Sequence, residues 1–119
     1  MIKGIGCDIV EISRIEKLMK NSRFLQKVYL PCEQKLIKDK SVHTAAGIWA
    51  AKEAASKALG TGFNGFTVLD IEICEEKSGK PHVKLHNEAE KTFEKFGGKQ
   101  IYISISHEEN HAMAFALIE

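Results

Sequence analysis

Hydrophobic residues recur along this chain with two different periods, and the longest stretch with a helical period lies in the middle. Residues 45–62 are rich in alanine and close with Gly60 and Gly62, which predicts one long helix with a C-terminal stop. A stripe of apolar residues at spacings of three and four should face a core. Its members are Ile48, Ala51, Ala55 and Leu59. The opposite side has Trp49 and alanines with few charges, so we expect both sides of this helix to be covered.

Alternation of apolar and polar residues, which is typical of strands, marks three segments. They are residues 2–10, 66–75 and 101–106, and a loop at residues 107–111 leads from the third segment into a final strand at residues 112–118. A turn at residues 77–81 and a further strand at residues 82–85 predict a hairpin with the second segment. Residues 112–118 are apolar on both faces, so the sheet is either covered by the long helix or buried against another subunit.

Shorter helices are expected between these segments. Residues 13–16 have the form of a capping box and predict the start of a short helix. Residues 22–38 form a helix in two pieces, and Pro31 suits the first turn of the second piece. A last helix is expected at residues 87–96, capped by Asn87. The pattern predicts an α+β fold in which a small antiparallel sheet packs on a long central helix.

The chain has 119 residues, enough for one domain over residues 1–119 that buries about two-thirds of its unfolded surface. Its composition, 44% hydrophobic and 28% charged, is that of a globular protein. No segment has the length of a membrane span, and the N-terminus is too polar for a secretory signal. The net charge of +1 gives no reason to expect general nucleic-acid binding.

Three cysteines are present, Cys7, Cys32 and Cys74, without a CxxC motif or a zinc-ligand spacing. This usage suits a reducing cytoplasm, where cysteine acts mainly as a small hydrophobe. His82 and His86 lie on the same side of a predicted strand, but no third ligand is near in sequence, so a metal site is not expected there.

Two carboxylates are candidates for chemistry. Asp8 shares a strand face with Gly4 and Gly6, and glycines in a strand suit a close approach to the backbone, so Asp8 could contact a ligand. A strand-end aspartate that only caps or faces solvent is the alternative. Glu53 lies on the covered helix and needs a partner, since burying a lone carboxylate costs several kcal/mol. Lys57, one turn later, could pair with it as an ordinary structural ion pair.

Four stretches together resemble the holo-[acyl-carrier-protein] synthases, the short phosphopantetheinyl transferases of bacterial type. They are GIGCDIVEISRIEK, WAAKEAASKALGTG, SGKP and ISISHEENHAMAFALIE. Their order and spacing agree with that family over the whole chain. The resemblance implies a 4′-phosphopantetheinyl transferase-like fold. It also implies transfer of the 4′-phosphopantetheine arm of coenzyme A to a serine of an apo acyl carrier protein, leaving adenosine 3′,5′-bisphosphate.

The resemblance also implies a magnesium site and a set of catalytic residues. Asp8 and Glu53 would hold Mg²⁺ against the coenzyme A pyrophosphate, and Lys57 would contact the phosphates. This agrees with the oxygen ligands that Mg²⁺ prefers, which are commonly one or two carboxylates plus substrate phosphates. Two candidates for the base that takes the serine proton remain open, namely Glu53 itself or a metal-bound water.

Further residues match family positions that bind coenzyme A or the carrier protein. By resemblance, the coenzyme A contacts are Lys57, Gly60, Lys80, Pro81 and His107. The carrier protein would dock on the first helix, where cations would face an acidic partner helix. Those cations are Arg14 and Lys17, with Lys20 on the same helix, and Arg23 and Lys27 would extend the patch.

The family forms homotrimers with the active site between neighbouring subunits, which agrees with the two-sided apolar final strand. The resemblance further implies a cytoplasmic enzyme of fatty acid biosynthesis. One departure is Ile48, where many relatives have arginine, so any phosphate contact of that arginine is missing or comes from Lys35, Lys38 or Lys40. A magnesium-dependent phosphohydrolase and a non-catalytic oligomeric binding module are the alternative function classes.

Overall fold

Helices and strands follow one another along residues 1–119, all of which the computed structural model describes. The strands are β1 (Gly4–Glu11), β2 (Ile71–Glu75), β3 (Pro81–Leu85), β4 (Ile101–His107) and β5 (His111–Ile118). The helices are α1 (Ile12–Met19), α2 (Ser22–Val28), α3 (Pro31–Asp39), α4 (Val42–Ala58) and α5 (Asn87–Lys95), with a 3-10 helix at Val68–Asp70. The predicted α+β class is confirmed. None of these helices combines the length and apolar character that crossing a membrane requires.

The strands form two antiparallel sheets. The larger has the order β1-β5-β4, and the smaller is the hairpin β2-β3. The predicted pairing of residues 82–85 with the second strand segment is therefore confirmed. In the larger sheet, the central β5 places Ala114 opposite Asp8 and Ala112 opposite His107. The first and the last segments of the chain thus build one sheet around the chemistry-bearing residues.

Helix α4 lies across the inner face of the larger sheet, and it is buried along both sides as predicted. The four residues of the predicted apolar stripe are all buried. The closest approach is at β1, where a Cβ on Gly4 would lie 2.1 Å from the Ala58 carbonyl oxygen. A Cβ on Gly6 would lie 2.2 Å from the Ala54 carbonyl oxygen. The predicted close approach to the backbone of β1 is therefore made by α4 at these two glycines, and not by a ligand.

The end of α4 agrees with the sequence, but its start does not. Gly60 and Gly62 follow the helix with φ of 79° and 59°, so the predicted glycine stop is confirmed. The helix begins at Val42, three residues before the start that the sequence predicted at residue 45. Residues 66–70 likewise do not extend the second strand, because Thr67 caps the 3-10 helix before β2 begins.

Two predicted helix caps are wrong, and tertiary contacts explain both. Helix α1 begins at Ile12, directly after β1, and the Ile12 N–H donates to the Asn110 carbonyl of the β4–β5 hairpin. That long-range bond replaces the expected capping box at residues 13–16. Helix α5 follows His86, while Asn87 has a φ of 50° and donates through its side chain to Asp70.

The outer face of the larger sheet exposes large apolar side chains. Five of them are between 41% and 64% exposed, namely Ile5, Ile9, Tyr102, Met113 and Phe115. The inner face of the same β5 strand is buried against α4. The final strand is therefore apolar on both faces as expected, and its own chain covers only one of them.

Candidate active site

Asp8 is held on the inner face of β1, at the edge of the contact with α4. Its side chain is 18% exposed, and its Oδ1 lies 3.2 Å from the Lys57 Nζ atom. The same ammonium donates to the Cys7 carbonyl at 3.0 Å. Strand β1 and the last turn of α4 are thus joined by a lysine that is more than half exposed. Asp8 does more than cap a strand end.

Glu53 lies one turn before Lys57 on α4 and is half-buried. Its carboxylate makes no hydrogen bond or ion pair within the chain, so the expected structural pair with Lys57 does not form. Burial raises the pKa of Glu53, and the nearby Asp8 carboxylate raises it further. The charges of Lys57 and Arg14 act in the opposite direction. Two carboxylates and two cations from β1, α1 and α4 therefore influence one another in one cluster.

This cluster fits a magnesium ion by its donor set. Nowhere in the chain do three or more His, Cys, Asp or Glu side chains converge as metal ligands. Mg²⁺ does not need such a cage, since it is usually bound by one or two carboxylates together with substrate phosphates. Glu53 is partly desolvated, lies beside a second carboxylate and lacks a partner in the chain, which is the electrostatic setting that a cation relieves.

A separate cavity of about 330 Å³ opens between α3, the start of α4, the β2–β3 hairpin and the end of β4. Pro81 and His107 line it, and Lys80 lies in the turn just before Pro81. The rings of His107 and His43 face each other at a centroid distance of 5.2 Å. Asp8, Glu53 and Lys57 do not line this cavity. One chain therefore places its candidate residues at two distinct positions.

Ile48 forms part of the same cavity wall and is 3% exposed. Of the three lysines that could substitute for an arginine there, only Lys40 lines the cavity. Its ammonium is paired with Glu75 at 2.5 Å across the opening between α3 and β2. His43 also lines this cavity and was missed in the sequence, because nothing local distinguishes it from a surface histidine.

The cations assigned to carrier-protein docking are exposed and divide between two elements. Arg14, Lys17 and Lys20 lie on or just after α1, and Arg14 alone acts on the charge of Glu53. Arg23 and Lys27 lie on α2 and line a groove beside the 3-10 helix. A basic surface thus runs from the carboxylate cluster along α1 to α2.

Sequence reasoning also missed a buried ion pair that joins α4 to α3. Lys52 and Glu33 have fully buried side chains, and the Lys52 Nζ lies 2.7 Å from the Glu33 Oε1. Burial raises the pKa of Glu33, while the Lys52 charge opposes that shift. No local pattern indicates this pair, since 19 positions of sequence separate its members.

The sequence predicted cysteines that act mainly as small hydrophobes, and in the structure Cys7 and Cys32 are exposed. Cys32 and Cys74 both donate to Oε2 of Glu72, and the other oxygen of Glu72 lies 2.8 Å from His86. Burial and the Glu72 carboxylate raise the pKa of Cys32 to about 11 and that of Cys74 to about 12. All three cysteines are free thiols.

Comparison with known proteins shows the family to which this chain belongs. Residues 4–116 match the family model of the 4′-phosphopantetheinyl transferase superfamily. The holo-[acyl-carrier-protein] synthase of Alkaliphilus oremlandii is 46% identical over 120 residues, which cover 98% of each chain.

Two solved structures show the same fold. The holo-[acyl-carrier-protein] synthase of Helicobacter pylori, in complex with coenzyme A, superimposes with a TM-score of 0.87 at 36% identity, over 97% of this chain and 99% of that one. The enzyme of Neisseria meningitidis gives a TM-score of 0.92 at 35% identity, over 100% and 99% of the two chains. The protein described above therefore belongs to the 4′-phosphopantetheinyl transferase superfamily, among the holo-[acyl-carrier-protein] synthases.

Proposed function

We propose that this protein transfers the 4′-phosphopantetheine arm of coenzyme A to a serine of an apo acyl carrier protein in a Mg²⁺-dependent reaction. The second product is adenosine 3′,5′-bisphosphate. The observation that carries the proposal is the cluster of Asp8, Glu53 and Lys57, built by β1 and α4. Membership of the family and the coenzyme A bound to the Helicobacter pylori relative support the same substrate.

Asp8 and Glu53 would hold the magnesium ion, which when bound neutralises charge on the pyrophosphate. Lys57 contributes a fixed positive charge beside Asp8, and its exposed side chain is free to contact phosphate oxygens. Phosphoryl transfer depends mainly on positioning and charge neutralisation, which these three groups provide. The alternative role of Asp8 as a simple cap leaves the unpaired Glu53 beside it without explanation.

The base that takes the proton of the carrier serine would be Glu53 itself or a metal-bound water held by Asp8 or Glu53. Glu53 has no hydrogen-bonding partner within the chain, so its carboxylate is available for either route. The serine oxygen then forms a bond to the phosphorus that bears the pantetheine arm. The bond from that phosphorus to the bridging oxygen of the pyrophosphate breaks, and adenosine 3′,5′-bisphosphate leaves with its electron pair, beside the Lys57 ammonium.

The cavity of about 330 Å³ is the proposed site for the nucleotide end of coenzyme A. His107 and Pro81 line it, Lys80 stands at its edge, and His43 adds a second imidazole opposite His107. Ile48 contributes an apolar wall in place of a cation. Gly60, exposed just after the last turn of α4, leaves the approach to Lys57 open, because it has no side chain.

We propose a homotrimer in which the carboxylate cluster of one subunit and the cavity of its neighbour form one site. Two observations support it. The outer face of the larger sheet is apolar and uncovered, and the candidate residues of a single chain lie at two separate positions. An exposed apolar face of this kind in a small protein marks an association surface.

The carrier protein would dock on α1, with Arg14 nearest to the reacting groups and Lys17 and Arg23 along the path. An acidic partner helix would be attracted to these exposed cations. The free thiols agree with a cytoplasmic enzyme, and an acyl carrier protein substrate places it in fatty acid biosynthesis.

The test is to incubate the protein with coenzyme A, Mg²⁺ and an apo acyl carrier protein and to weigh the carrier by mass spectrometry. We expect the mass of one phosphopantetheine group to be added, and no addition after chelation of the metal. Hydrolysis of coenzyme A without modification of the carrier would instead indicate a phosphohydrolase. Binding of coenzyme A without either reaction would indicate a binding module.

A further inference from the structure

The side chain of Lys52 is fully buried at the centre of α4, and every donor of its ammonium group has a partner. Nζ donates to the Val28 carbonyl at 2.6 Å and to the Val68 carbonyl at 2.9 Å. Its third partner is the Glu33 Oε1 atom at 2.7 Å. An ammonium group has three N–H donors, so this lysine is saturated by groups from outside its own helix.

Glu33 extends these contacts to further elements. Its Oε2 accepts the backbone N–H of Ile73 in β2 at 2.8 Å, and its Oε1 accepts the N–H of Leu30 at 2.8 Å. Through one pair of side chains, α4 is therefore tied to the end of α2, the start of α3, the 3-10 helix and β2.

Stability alone does not account for such a pair. Replacing a buried ion pair by apolar side chains of similar size is often neutral or stabilising, because both charges must be taken out of water. Hydrogen bonds and ion pairs are directional, so this pair can also define the register of α4, which is its position along and around its own axis. Helix α4 needs this, since most of its buried residues are alanines. Short methyl groups form shallow ridges, so the directional bonds of Lys52 add to the positioning that packing provides.

We propose that Lys52, together with Glu33, is a positioning residue that fixes the register of α4 and thereby places Glu53 and Lys57 against Asp8. Glu53 directly follows Lys52, and Lys57 lies little more than one turn later, so a rotation of α4 moves both. Mg²⁺ demands near-ideal ligand geometry, which makes its binding sensitive to shifts of a few tenths of an ångström. The inference rests on the proposed function of the carboxylate cluster.

Three variants separate positioning from plain stability. The double variant Lys52→Met/Glu33→Leu removes both charges and all directional bonds. Lys52→Gln/Glu33→Gln removes the charges but keeps some hydrogen bonding. Val83→Ala is the matched control, because it removes apolar volume from the buried core in β3 and leaves the side chains of α4 unchanged.

The first readout is Mn²⁺ binding in the presence of coenzyme A, followed by electron paramagnetic resonance, with thermal unfolding of each variant recorded alongside. We expect Lys52→Met/Glu33→Leu to unfold near the wild-type temperature and to bind Mn²⁺ about tenfold more weakly, as is typical when outer-shell support is lost. The Gln pair should fall between it and the wild type. Val83→Ala should unfold earlier and bind Mn²⁺ normally.

The second readout is a crystal structure of the Met/Leu variant, which needs neither metal nor activity. A displacement of the Glu53 carboxylate relative to Asp8 is expected. An unmoved carboxylate, wild-type Mn²⁺ binding, or an equal loss of binding in Val83→Ala would each overturn the proposal. If the Met/Leu variant does not fold, the Gln pair is judged by the same criteria. A wild type that fails to transfer phosphopantetheine would contradict the proposed function, while the crystal structure still decides the role of Lys52.

Discussion

Glu33 of α3 and Glu53 of α4 are two carboxylates that are buried to different degrees at the same helix. They differ in whether the chain supplies partners for their oxygens. Glu33 is completely buried, and a lysine and two backbone N–H groups satisfy its oxygens. Glu53 is only half-buried, yet it has no hydrogen-bonding partner and lies near the charge of Asp8. Burial raises the pKa of both residues. Only the first is directly paired with a cation of the chain.

The difference shows how a structural carboxylate can be told from a functional one. A buried charge that serves the fold is paired and saturated, since an unpaired one is costly. A carboxylate that has no partner and lies beside a like charge is repelled by it, and binding of an external cation or substrate can relieve this repulsion. Under the two proposals above, the saturated side of α4 fixes the position of the helix and its unsaturated side binds ligands. The following predictions test that division, beginning with the largest effect.

Removing either unsaturated carboxylate should abolish transfer without harming the fold. In Asp8→Ala and in Glu53→Ala the proposed metal loses one of its two protein ligands, so we expect activity to fall by at least about a hundredfold. Stability should be retained, because the like-charge repulsion in the metal-free protein is relieved. Carrier mass spectrometry and thermal unfolding measure the two quantities. Near-normal turnover of either variant at moderate Mg²⁺ would show that the metal assignment is wrong.

Removing the saturated carboxylate should have the converse effect on folding. Glu33→Leu leaves the Lys52 ammonium buried without its counter-ion, and breaking such a pair costs about 3–5 kcal/mol of unfolding free energy. Denaturant unfolding measures this loss. Glu88→Leu is the matched control, since Glu88 pairs with Lys91 on the surface and its removal should change little. Equal stabilities of the two variants would contradict the division between the two carboxylates.

If the unsaturated cluster is completed by a neighbouring subunit, disrupting association should also disrupt activity. Phe115→Glu places a charge on the exposed apolar face of the larger sheet, so we expect a trimer to become a monomer that transfers poorly. Light scattering gives the molar mass, and the carrier assay gives the activity. Lys91→Glu on α5 serves as the control for an added negative charge. A stable, active wild-type monomer would rule out the trimer.

Arg14 is the one docking cation that acts on the charge of Glu53, which sets it apart from Lys17. Arg14→Glu should therefore raise the KM for the carrier several-fold more than Lys17→Glu does, with coenzyme A affinity unchanged as the control. Both defects should shrink relative to the wild type at high salt, because salt screens the attraction on which the wild type relies. Equal KM values for the wild type and Arg14→Glu at low salt would place docking elsewhere.

The smallest expected effect is a pH-dependent stability difference at Glu53. Burial and the Asp8 charge raise the pKa of this group in the folded chain, so its ionised form is disfavoured there. The stability that it contributes is complete below its unfolded pKa of about 4.3 and is lost as the pH rises through the folded pKa. Metal-free Glu53→Gln should thus become more stable than the wild type as the pH rises. Thermal unfolding across that range measures the difference, and a constant difference would contradict it.

The sequence by itself determined the elements whose causes are local. The alanine-rich helix with its glycine stop, the alternation of the hairpin strands and the turn with Gly79 at a φ of 88° all follow from neighbouring residues. Asp8 and Glu53 could also be singled out, since each is a carboxylate within an otherwise apolar or glycine-rich pattern. Their roles as metal ligands stay predictions.

Only the tertiary structure decided the pairings between distant residues. Lys57 contacts Asp8, 49 positions away, in preference to Glu53 on its own helix. Lys52 pairs with Glu33 of α3. The Ile12 N–H in the first turn of α1 donates to the Asn110 carbonyl in the β4–β5 hairpin. Local spacing fixes which side of a helix a residue occupies. Which charge it meets there depends on how the elements pack, because an ion pair forms wherever burial leaves two opposite charges within reach of each other.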